Sequence, residues 1–392
     1  MFSPFPGLLF DSDHIGDVGE ATSPPYDVIS PDQRRELAAA SPFNVVNVLL
    51  AGPEDPDYEQ AGDTMAAWLT EGAIVADDGP HFYLYFMDYV TPEGEARTAK
   101  GVLGALDVVA PGAQIVPHEE TRAKHRADRM AAMSATRANV DVIIGLSGSP
   151  DLLAMLVPTP GPHLDFFAAD AVRHRLWKIT DHDQIDRISA AVDAHPISIA
   201  DGHHRYLTAL EYRENRSEPG PWDAILALVA PAEGSGLTVG PYHRVFDDFL
   251  FTPAAVAAAF DVTESMPEVP NSPGDLVVSS PRGTWRLAPR PEAIEHLPEP
   301  WRAASTAIAR EVLYPLLGVD EAAATYVPEA TDALEFTASG GTAVLVAPVS
   351  EAAIAAAGEL GLRFPSKTTF FVPKPRAGLV MRSIAPPADV TE

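Results

Sequence analysis

A short apolar run, a glycine and a cluster of titratable side chains constrain this chain more than any other stretch. They lie in His195–Arg213, whose sequence is HPISIADGHHRYLTALEYR. The first part is typical of a strand, and the last part carries apolar residues at helical spacing, so the stretch predicts a strand, a tight turn and a helix. Gly202 stands at the turn, where a glycine permits a positive φ and lets a ligand approach the backbone.

The start of this helix is a favourable place for an anion. The first helical turn leaves backbone N–H groups without partners, and the helix dipole favours negative charge there. Around the turn the sequence places Asp201, Gly202, His203, His204 and Arg205. This density of titratable groups beside an apolar strand favours a site for phosphate and a hydroxyl donor. The alternative is a helix capped by Asp201, with the basic side chains in solvent.

The motif Ile-Ala-Asp-Gly-His-His-Arg-Tyr resembles the signature of the bacterial and archaeal family catalogued as domain of unknown function 1015. Further similar blocks occur in the same order along nearly the whole chain: Ser23–Ser30, Ser41–Val48, the His-Glu-Glu-Thr run at 118–121 and Pro365–Val380. The Asp-Gly-His-His-Arg segment also resembles the motif of free-serine kinases, which belong to the ParB and sulfiredoxin superfamily. This second resemblance implies a ParB/sulfiredoxin-like core in which a turn holds nucleotide phosphates.

Charge and cysteine content exclude several functions. The formal net charge is −28, from 27 basic and 55 acidic residues. Because such a chain repels a phosphate backbone, we do not expect it to bind nucleic acid as ParB proteins do. The chain has no cysteine, which excludes disulfides, thiolate metal sites and sulfiredoxin chemistry.

The N-terminal residues do not form a signal peptide, and no apolar run reaches the roughly 20 residues of a membrane helix. We therefore expect a cytoplasmic protein whose partner is a small molecule, and the oligomeric state stays open.

A second candidate centre begins at Pro117, where we expect a helix that runs to about Ala138. A general base must lie within hydrogen-bond reach of the substrate hydroxyl. The resemblance to free-serine kinases implies a Glu on a separate segment for this role, so Glu119 or Glu120 is the expected base. The alternative is structural, because carboxylates in a first helical turn are ordinary dipole partners and Glu120 can pair with Lys124.

Two further groups of residues are candidate ligand contacts. Tyr26 and Asp27 follow two prolines that fix an extended path, and they either wall a substrate pocket or belong to a rigid entry loop. His243-Arg244 lies on a predicted strand, where the arginine could bind a carboxylate or phosphate through two N–H groups. The family resemblance places a threonine where this chain has Tyr242.

Two lysines near the C-terminus, Lys367 and Lys374, raise the expectation of an anion contact, because only five of the 27 basic residues are lysines. Lys367 is followed by a threonine, but no Gly-x-x-x-x-Gly-Lys-Thr frame surrounds it, so a P-loop is excluded. The alternative for this segment is a loop that enters an apolar strand.

The fold class expected is α/β or α+β, with a mixed sheet of short strands and an additional C-terminal α/β region. Recurrent prolines suggest a boundary at 261–300 that includes a hairpin, between a catalytic region at 1–260 and a C-terminal region at 301–392. Other predicted elements are a hairpin of 81–90 with 97–109, a helix at 57–71, strands at 45–50, 141–146 and 223–230, and a Gly-Gly hairpin within 336–349.

The leading hypothesis is a nucleotide-dependent phosphotransferase that acts on a small hydroxylated metabolite, with free serine as the acceptor that the motif implies. ATP or ADP would be the donor, with Mg²⁺. The Gly202 amides, His203 and Arg205 would hold phosphate, and His204 and Asp201 would take part in catalysis. The first alternative is a metal-assisted hydrolase, whose metal ligands would come from His118, Glu120, Asp201, His203 and His204. The second alternative is a nucleotide-binding module without catalytic activity.

Overall fold

The chain contributes in alternation to two structural units. The computed structural model describes residues 1–52, 57–91, 94–120, 123–247, 249 and 251–386, with the backbone alone described at 123–126, 351, 352, 355 and 359. The first unit comprises Met1–Val116, Arg122–Leu237 and Pro373–Glu392, and the second comprises Pro117–Thr121 and Thr238–Val372.

Within its described residues, the first unit holds a nine-stranded mixed sheet. Ala224–Pro231 lies at its centre, parallel to Ile143–Ser147 and antiparallel to Ala96–Asp107, and Phe2–Ser3 also pairs with Ala96–Asp107. The spatial order of the other eight strands is Ile115–Pro117, Ile197–Asp201, Ile143–Ser147, Ala224–Pro231, Ala96–Asp107, Phe82–Val90, Arg173–Ile179 and Leu164–Phe167.

Apolar side chains from both this sheet and two helices form the main core of the first unit. Ala224–Pro231 is buried along almost its whole length, as a strand covered on both faces must be. Helix His182–Asp193 begins at Asp181, whose carboxylate accepts a hydrogen bond from the Gln184 amide at 2.8 Å. The apolar stripe of this helix and the inner face of helix His203–Glu214 pack in the same cluster as the sheet.

A four-stranded sheet ties the C-terminal segment into the first unit. Met381–Ser383 pairs antiparallel with both Gly7–Phe10 and Ala138–Asn139, and Ile74–Ala76 completes the sheet. Pairings across almost the whole chain length have no local signal in the sequence, and they hold residues after 372 beside strands from the chain start.

The second unit contains an antiparallel six-stranded sheet and, separately, a pair of short strands among its described residues. In the pair, Thr238–Gly240 is antiparallel to Phe370–Val372. The spatial order of the larger sheet is Phe260–Glu264, Gly283–Pro289, Leu276–Ser280, Thr342–Val346, His243–Phe246 and Thr325–Val327.

Helices cover these sheets. Those of the first unit are Ser12–Ile15, Val18–Ala21, Pro31–Ala40, Val46–Leu49, Tyr58–Glu71, Ala123–Thr136, Leu152–Met155, His182–Asp193 and His203–Glu214, with 3₁₀ turns at Tyr26–Val28 and Pro221–Asp223. Those of the second unit are Pro253–Val256, Pro291–Ile294, Glu299–Arg302, Ser305–Ile308, a π-helical stretch Ala309–Leu313, Tyr314–Leu317, Ala330–Ala338 and Glu351–Glu359, with a 3₁₀ turn at Glu321–Ala323. Across the described residues, no helix combines the length and apolar character that spanning a bilayer requires.

The mixed α/β class is confirmed, and so are several local predictions. The predicted hairpin of 81–90 with 97–109 is present, with Tyr83 opposite Leu103. The helix predicted at 57–71 is Tyr58–Glu71. The predicted hairpin within 261–300 consists of Leu276–Ser280 and Gly283–Pro289. The proline-rich stretch 261–300 itself lies inside the second unit, so the chain divides elsewhere than the expected boundary.

Two element predictions are wrong, and in both a short apolar run was ambiguous. The run 45–50 forms helix Val46–Leu49 instead of a strand, and the Asn44 side chain accepts a hydrogen bond from the Val46 amide at 2.9 Å. The Gly-Gly hairpin within 336–349 is absent. There, helix Ala330–Ala338 leads into Thr342–Val346, whose partners are strands distant in sequence.

The close packing of the large sheet gives a stability prediction. A Cβ at Gly104 would lie 2.4 Å from the Phe2 ring and 2.7 Å from the Phe82 ring, whereas a Cβ at Gly148 would meet nothing within 4 Å. We expect Gly104→Ala to lower the free energy of unfolding by about 1–3 kcal/mol through overpacking. Gly148→Ala is the control and should change it by less than about 0.5 kcal/mol. Urea denaturation measures both; equal midpoints for the two variants would contradict the packing at Gly104.

Candidate functional site

The strand, turn and helix predicted around Gly202 are confirmed. Strand Ile197–Asp201 ends at Gly202, which has φ 89° and ψ 27° and begins helix His203–Glu214. A Cβ at this position would lie 2.7 Å from Cγ2 of Ile143. Glycine is therefore required at this turn both for the left-handed backbone and for the close approach to the neighbouring strand.

The helix begins without a side-chain cap, because the capping position is the glycine itself. The alternative in which Asp201 caps the helix is wrong, since Asp201 is the last residue of the strand. One oxygen of its carboxylate accepts from Nη2 of Arg205 at 2.5 Å, and the other accepts from Nζ of Lys374 at 2.6 Å. The turn thus joins an uncapped helix start to a carboxylate held by two cations.

Arg205 lies buried between two carboxylates of the first unit, with 9% of its surface exposed. Its Nη1 pairs with Asp141 at 2.7 Å and also donates to the Val142 carbonyl. Burial alone would lower the pKa of Arg205, but the carboxylates of Asp141, Asp201 and Asp27 outweigh burial and raise it. The guanidinium is thus a fixed cation that orders the carboxylates around it, and its expected contact with phosphate stays a prediction.

Asp141 has one oxygen inside this network and one outside it. Its Oδ1 accepts from Arg205 and from the Val142 amide at 2.8 Å. Its Oδ2 is buried and has no hydrogen-bond partner among the described residues. Burial raises the pKa of Asp141 to about 6, although the Arg205 charge opposes this shift. The charge of Asp141 is therefore incompletely compensated.

Tyr26 and Asp27 belong to the same cluster, as the prediction of a substrate pocket requires. They lie in the 3₁₀ turn Tyr26–Val28, and the negative charge of Asp27 acts on Arg205. The Arg129 guanidinium lies 4.0 Å from the centre of the Tyr26 ring. Burial, together with the Asp27 charge, raises the pKa of the Tyr26 hydroxyl above its usual range.

A cavity adjoins this cluster and contains about 520 Å³ of empty space, part of it open to solvent. Most of its exposed lining is apolar and comes from residues such as Val48, Leu49, Met133 and Ile225. Its polar lining includes Tyr26, Arg129, Asp141, Arg205 and Thr208. Sequence reasoning missed Arg129, Asp141 and Thr208, because each belongs to an ordinary helix or lies just before a strand and only tertiary packing brings them together.

The other predicted residues lie in the second unit, and the helix expected from Pro117 begins later, as Ala123–Thr136 of the first unit. The backbone of Glu119 is extended and bridges Phe364 in parallel. Its carboxylate accepts from the backbone amides of Lys367, Thr368 and Thr369 at 3.0, 3.1 and 2.7 Å. It also accepts from the Thr369 hydroxyl at 2.6 Å. Glu119 therefore orders the 367–369 loop, and its role as a general base stays a prediction.

Glu120 and Lys367 have partners of their own within the second unit. Glu120 pairs with Arg310 at 2.7 Å, and half of its side chain is exposed. Nζ of Lys367 lies 4.6 Å from the centre of the Tyr242 ring and 3.3 Å from the Tyr242 hydroxyl. The predicted loop before an apolar strand is confirmed, since Phe370–Val372 is a strand.

His243 and Arg244 are part of the interior of the second unit. Arg244 is fully buried, donates to the Tyr242 carbonyl at 2.5 Å and pairs with Glu321 at 3.5 Å. Nδ1 of His243 accepts from the Val346 amide at 3.2 Å, and burial lowers the pKa of His243 to about 4. These contacts support a structural role for both side chains, and their expected contact with phosphate stays a prediction.

Within the described part of the chain, no three or more His, Asp or Glu side chains are grouped so that they could hold a metal ion. Of the residues considered for a metal set, His118 and Glu120 belong to the second unit, whereas Asp201, His203 and His204 belong to the first. The metal-assisted hydrolase therefore gains no support from the geometry.

These features define a mixed α/β protein whose most distinctive element is an uncapped helix start after a left-handed glycine. The sequence matches the model of the family described as "Protein of unknown function (DUF1015)" over residues 2–312. The chain belongs to this family, which confirms the resemblance seen in the sequence. No curated protein matches the chain.

Several solved structures show weak similarity. SbnI with a C-terminal truncation, from Staphylococcus aureus, has a TM-score of 0.42 and 9% identity, covering 70% of this chain and 85% of its own. A mutant free serine kinase in complex with ADP has a TM-score of 0.38 and 11% identity, with coverages of 66% and 84%. A second mutant of that kinase, in complex with AMP, has a TM-score of 0.38 and 12% identity, with coverages of 68% and 88%.

The contacts of Glu119 predict that its charge stabilises the second unit. In Glu119→Gln an amide NH₂ would replace one acceptor oxygen, so at least one buried donor would lose its partner. We expect the free energy of unfolding to fall by about 1–3 kcal/mol. Glu120→Gln is the control, because a half-exposed ion pair contributes no more than about 1 kcal/mol. Denaturant unfolding measures the free energy, and hydrogen exchange measures the protection of the amides at 367–369. Unchanged amide protection in Glu119→Gln would contradict the anchoring role.

Proposed function

We propose that this protein is a nucleotide-dependent phosphotransferase that acts on a small hydroxylated metabolite, and that the Gly202 turn holds the phosphates. The observation that carries this proposal is the helix start at His203, which follows a left-handed glycine that offers no capping side chain. Amides of a first helical turn and the positive end of the helix dipole together favour phosphate. The left-handed glycine places this helix start directly after the strand.

The charges beside the turn suit phosphoryl transfer, which needs positioning and charge neutralisation more than covalent chemistry. Lys374 pairs with Asp201 at 2.6 Å and so places an ammonium beside the end of the strand that leads into the turn. His203 and His204 occupy the first helical turn, where an imidazole N–H could donate to a phosphate oxygen. Asp201 would orient the acceptor hydroxyl, in keeping with the motif that the chain shares with free-serine kinases.

Magnesium is the metal that this chemistry implies. Carboxylates such as Asp201 and Asp27 are the oxygen donors that Mg²⁺ prefers. Among the described residues, however, no three or more His, Asp or Glu side chains are grouped so that they could hold a metal ion by themselves, and both oxygens of Asp201 already accept from Arg205 and Lys374. The nucleotide phosphates would therefore have to supply most of the ligands of the ion. When bound, it would neutralise charge on the transferred phosphoryl group.

The proposed proton acceptor is one of the two glutamates that the sequence predicts for this role, Glu119 or Glu120. Glu119 uses its carboxylate to bind the 367–369 loop. Glu120 has a single described ion pair and is half exposed. The general base stays open between Glu119 and Glu120, and free serine is the first acceptor to test.

Lys374 provides the sharpest test of the nucleotide site. In Lys374→Gln the charge next to the turn is lost while the Arg205 network is kept. We expect Mg-ATP or Mg-ADP to bind roughly 10- to 100-fold more weakly, because a hydrogen bond to a charged group contributes about 1.5–3 kcal/mol. Thermal shift against nucleotide concentration measures this, and transfer of labelled phosphate to serine and other small alcohols measures activity.

Lys178→Gln is the matched control, because Lys178 also pairs with an aspartate, Asp77, in the same unit. This variant should bind nucleotide as the unchanged protein does. Equal nucleotide binding by both variants would show that the Gly202 turn is not part of the nucleotide-binding site. Binding without any phosphate transfer would support the nucleotide-binding module in place of the kinase.

A further inference from the structure

The cavity beside Arg205 contains two buried polar atoms that have no hydrogen-bond partner among the described residues. They are Oδ2 of Asp141 and Oγ1 of Thr208. Asp141 is 8% exposed and Thr208 is 1% exposed, and both residues line the cavity. A buried polar atom without a hydrogen bond is destabilising by about 1–3 kcal/mol. Two such atoms in the lining of one cavity mark a place where a ligand can supply the missing hydrogen bonds.

The chemistry of the two atoms restricts the ligand. A carboxylate oxygen accepts hydrogen bonds and donates none, whereas a threonine hydroxyl can do both. A group with more than one N–H can donate to both oxygens. A primary ammonium has three such donors, whereas a single hydroxyl would have to donate to Asp141 and accept from Thr208.

The charges around Arg205 favour a cation as well. Arg205 is shared between Asp141 and Asp201, and only one oxygen of Asp141 takes part in that pairing. An ammonium group would pair its charge with the second oxygen of Asp141 in a site largely shielded from water.

The rest of the cavity lining suits a ligand with a short carbon chain. The exposed surface of the cavity is mostly apolar, with Leu49, Met133 and Ile225 among its contributors. Cavities that bind small molecules combine such a lining with a few placed polar groups. We infer that this cavity binds a small primary amine, whose ammonium group hydrogen-bonds to Asp141 and Thr208 and whose carbon chain contacts the apolar lining.

This inference is independent of phosphate at the Gly202 turn, so the experiment omits nucleotide. Propylammonium is the probe, and 1-propanol and propionate are the neutral and anionic controls of similar size. Titration of the full chain, followed by amide chemical shifts in NMR, should show saturable binding of propylammonium that exceeds that of both controls by tenfold or more. Equal binding of 1-propanol, or the absence of saturable binding by propylammonium, would overturn the inference.

Thr208→Val identifies the site without disturbing the ion pairs. The variant replaces an unpartnered hydroxyl by a methyl group of similar shape, so its stability should stay the same or rise. Its affinity for propylammonium should fall roughly tenfold, which corresponds to the loss of one hydrogen bond to a charged group. Thr70→Val is the control, since Thr70 also lies in a helix of the first unit but donates to the Ala66 carbonyl at 2.8 Å.

Asp141→Asn tests whether the charge of Asp141 is needed for binding. Because the substitution also weakens the pair with Arg205, the stability of the variant is measured alongside its affinity. A folded Asp141→Asn protein should lose propylammonium binding and keep any weak binding of 1-propanol. If Thr208→Val and folded Asp141→Asn both bind propylammonium as tightly as the unchanged protein, the ligand does not occupy this cavity and the inference fails.

Discussion

The ion pairs of Arg205 are the interaction on which the first unit most depends. This buried guanidinium holds Asp141, which precedes one strand, and Asp201, which ends the next strand in the sheet. Taking three charges out of water is unfavourable, and only mutual pairing and hydrogen bonds offset the loss of hydration. Removal of one partner would leave a buried charge without compensation, at a cost of about 3–5 kcal/mol. Lys374 extends the network from the C-terminal segment to Asp201. The network therefore links strand, turn, helix and chain end around one cation.

The same network explains why a stability element and a candidate site coincide. Arg205, which pairs with two carboxylates, fixes the end of strand Ile197–Asp201. The left-handed Gly202 then directs the backbone into the helix. The helix start stays uncapped on one side of the network, and on the other side Asp141 keeps one oxygen without a described partner. Gly202 offers no capping side chain, and Oδ2 of Asp141 has no hydrogen-bond partner among the described residues, so the fold itself leaves polar groups unsatisfied at both places. Retained polar groups of this kind are typical of binding sites.

Local chemistry accounts for the predictions that the structure confirms. The strand and helix around Gly202, the hairpin of 81–90 with 97–109 and the helix Tyr58–Glu71 each follow from periodicity and turn residues within about 30 positions. The errors arise where partners are distant. The apolar run at 45–50 is too short to distinguish helix from strand, and the strand Thr342–Val346 takes both partners from other parts of the second unit. The sequence predicts Glu119 in the first turn of a helix, yet its extended backbone pairs with Phe364 and its carboxylate binds the 367–369 loop.

The sequence by itself determined the family, the mixed α/β class, the turn at Gly202 and the identity of the titratable groups around it, because these depend on residue type and local spacing. Tertiary structure alone decided which groups meet. It buried Arg205 between Asp141 and Asp201, brought Lys374 from the chain end to the turn, and gathered Arg129, Asp141 and Thr208 around one cavity. The physical reason is that burial and charge pairing act between atoms that are close in space, and separations of 63 and 173 positions along the chain leave no periodic trace in the sequence.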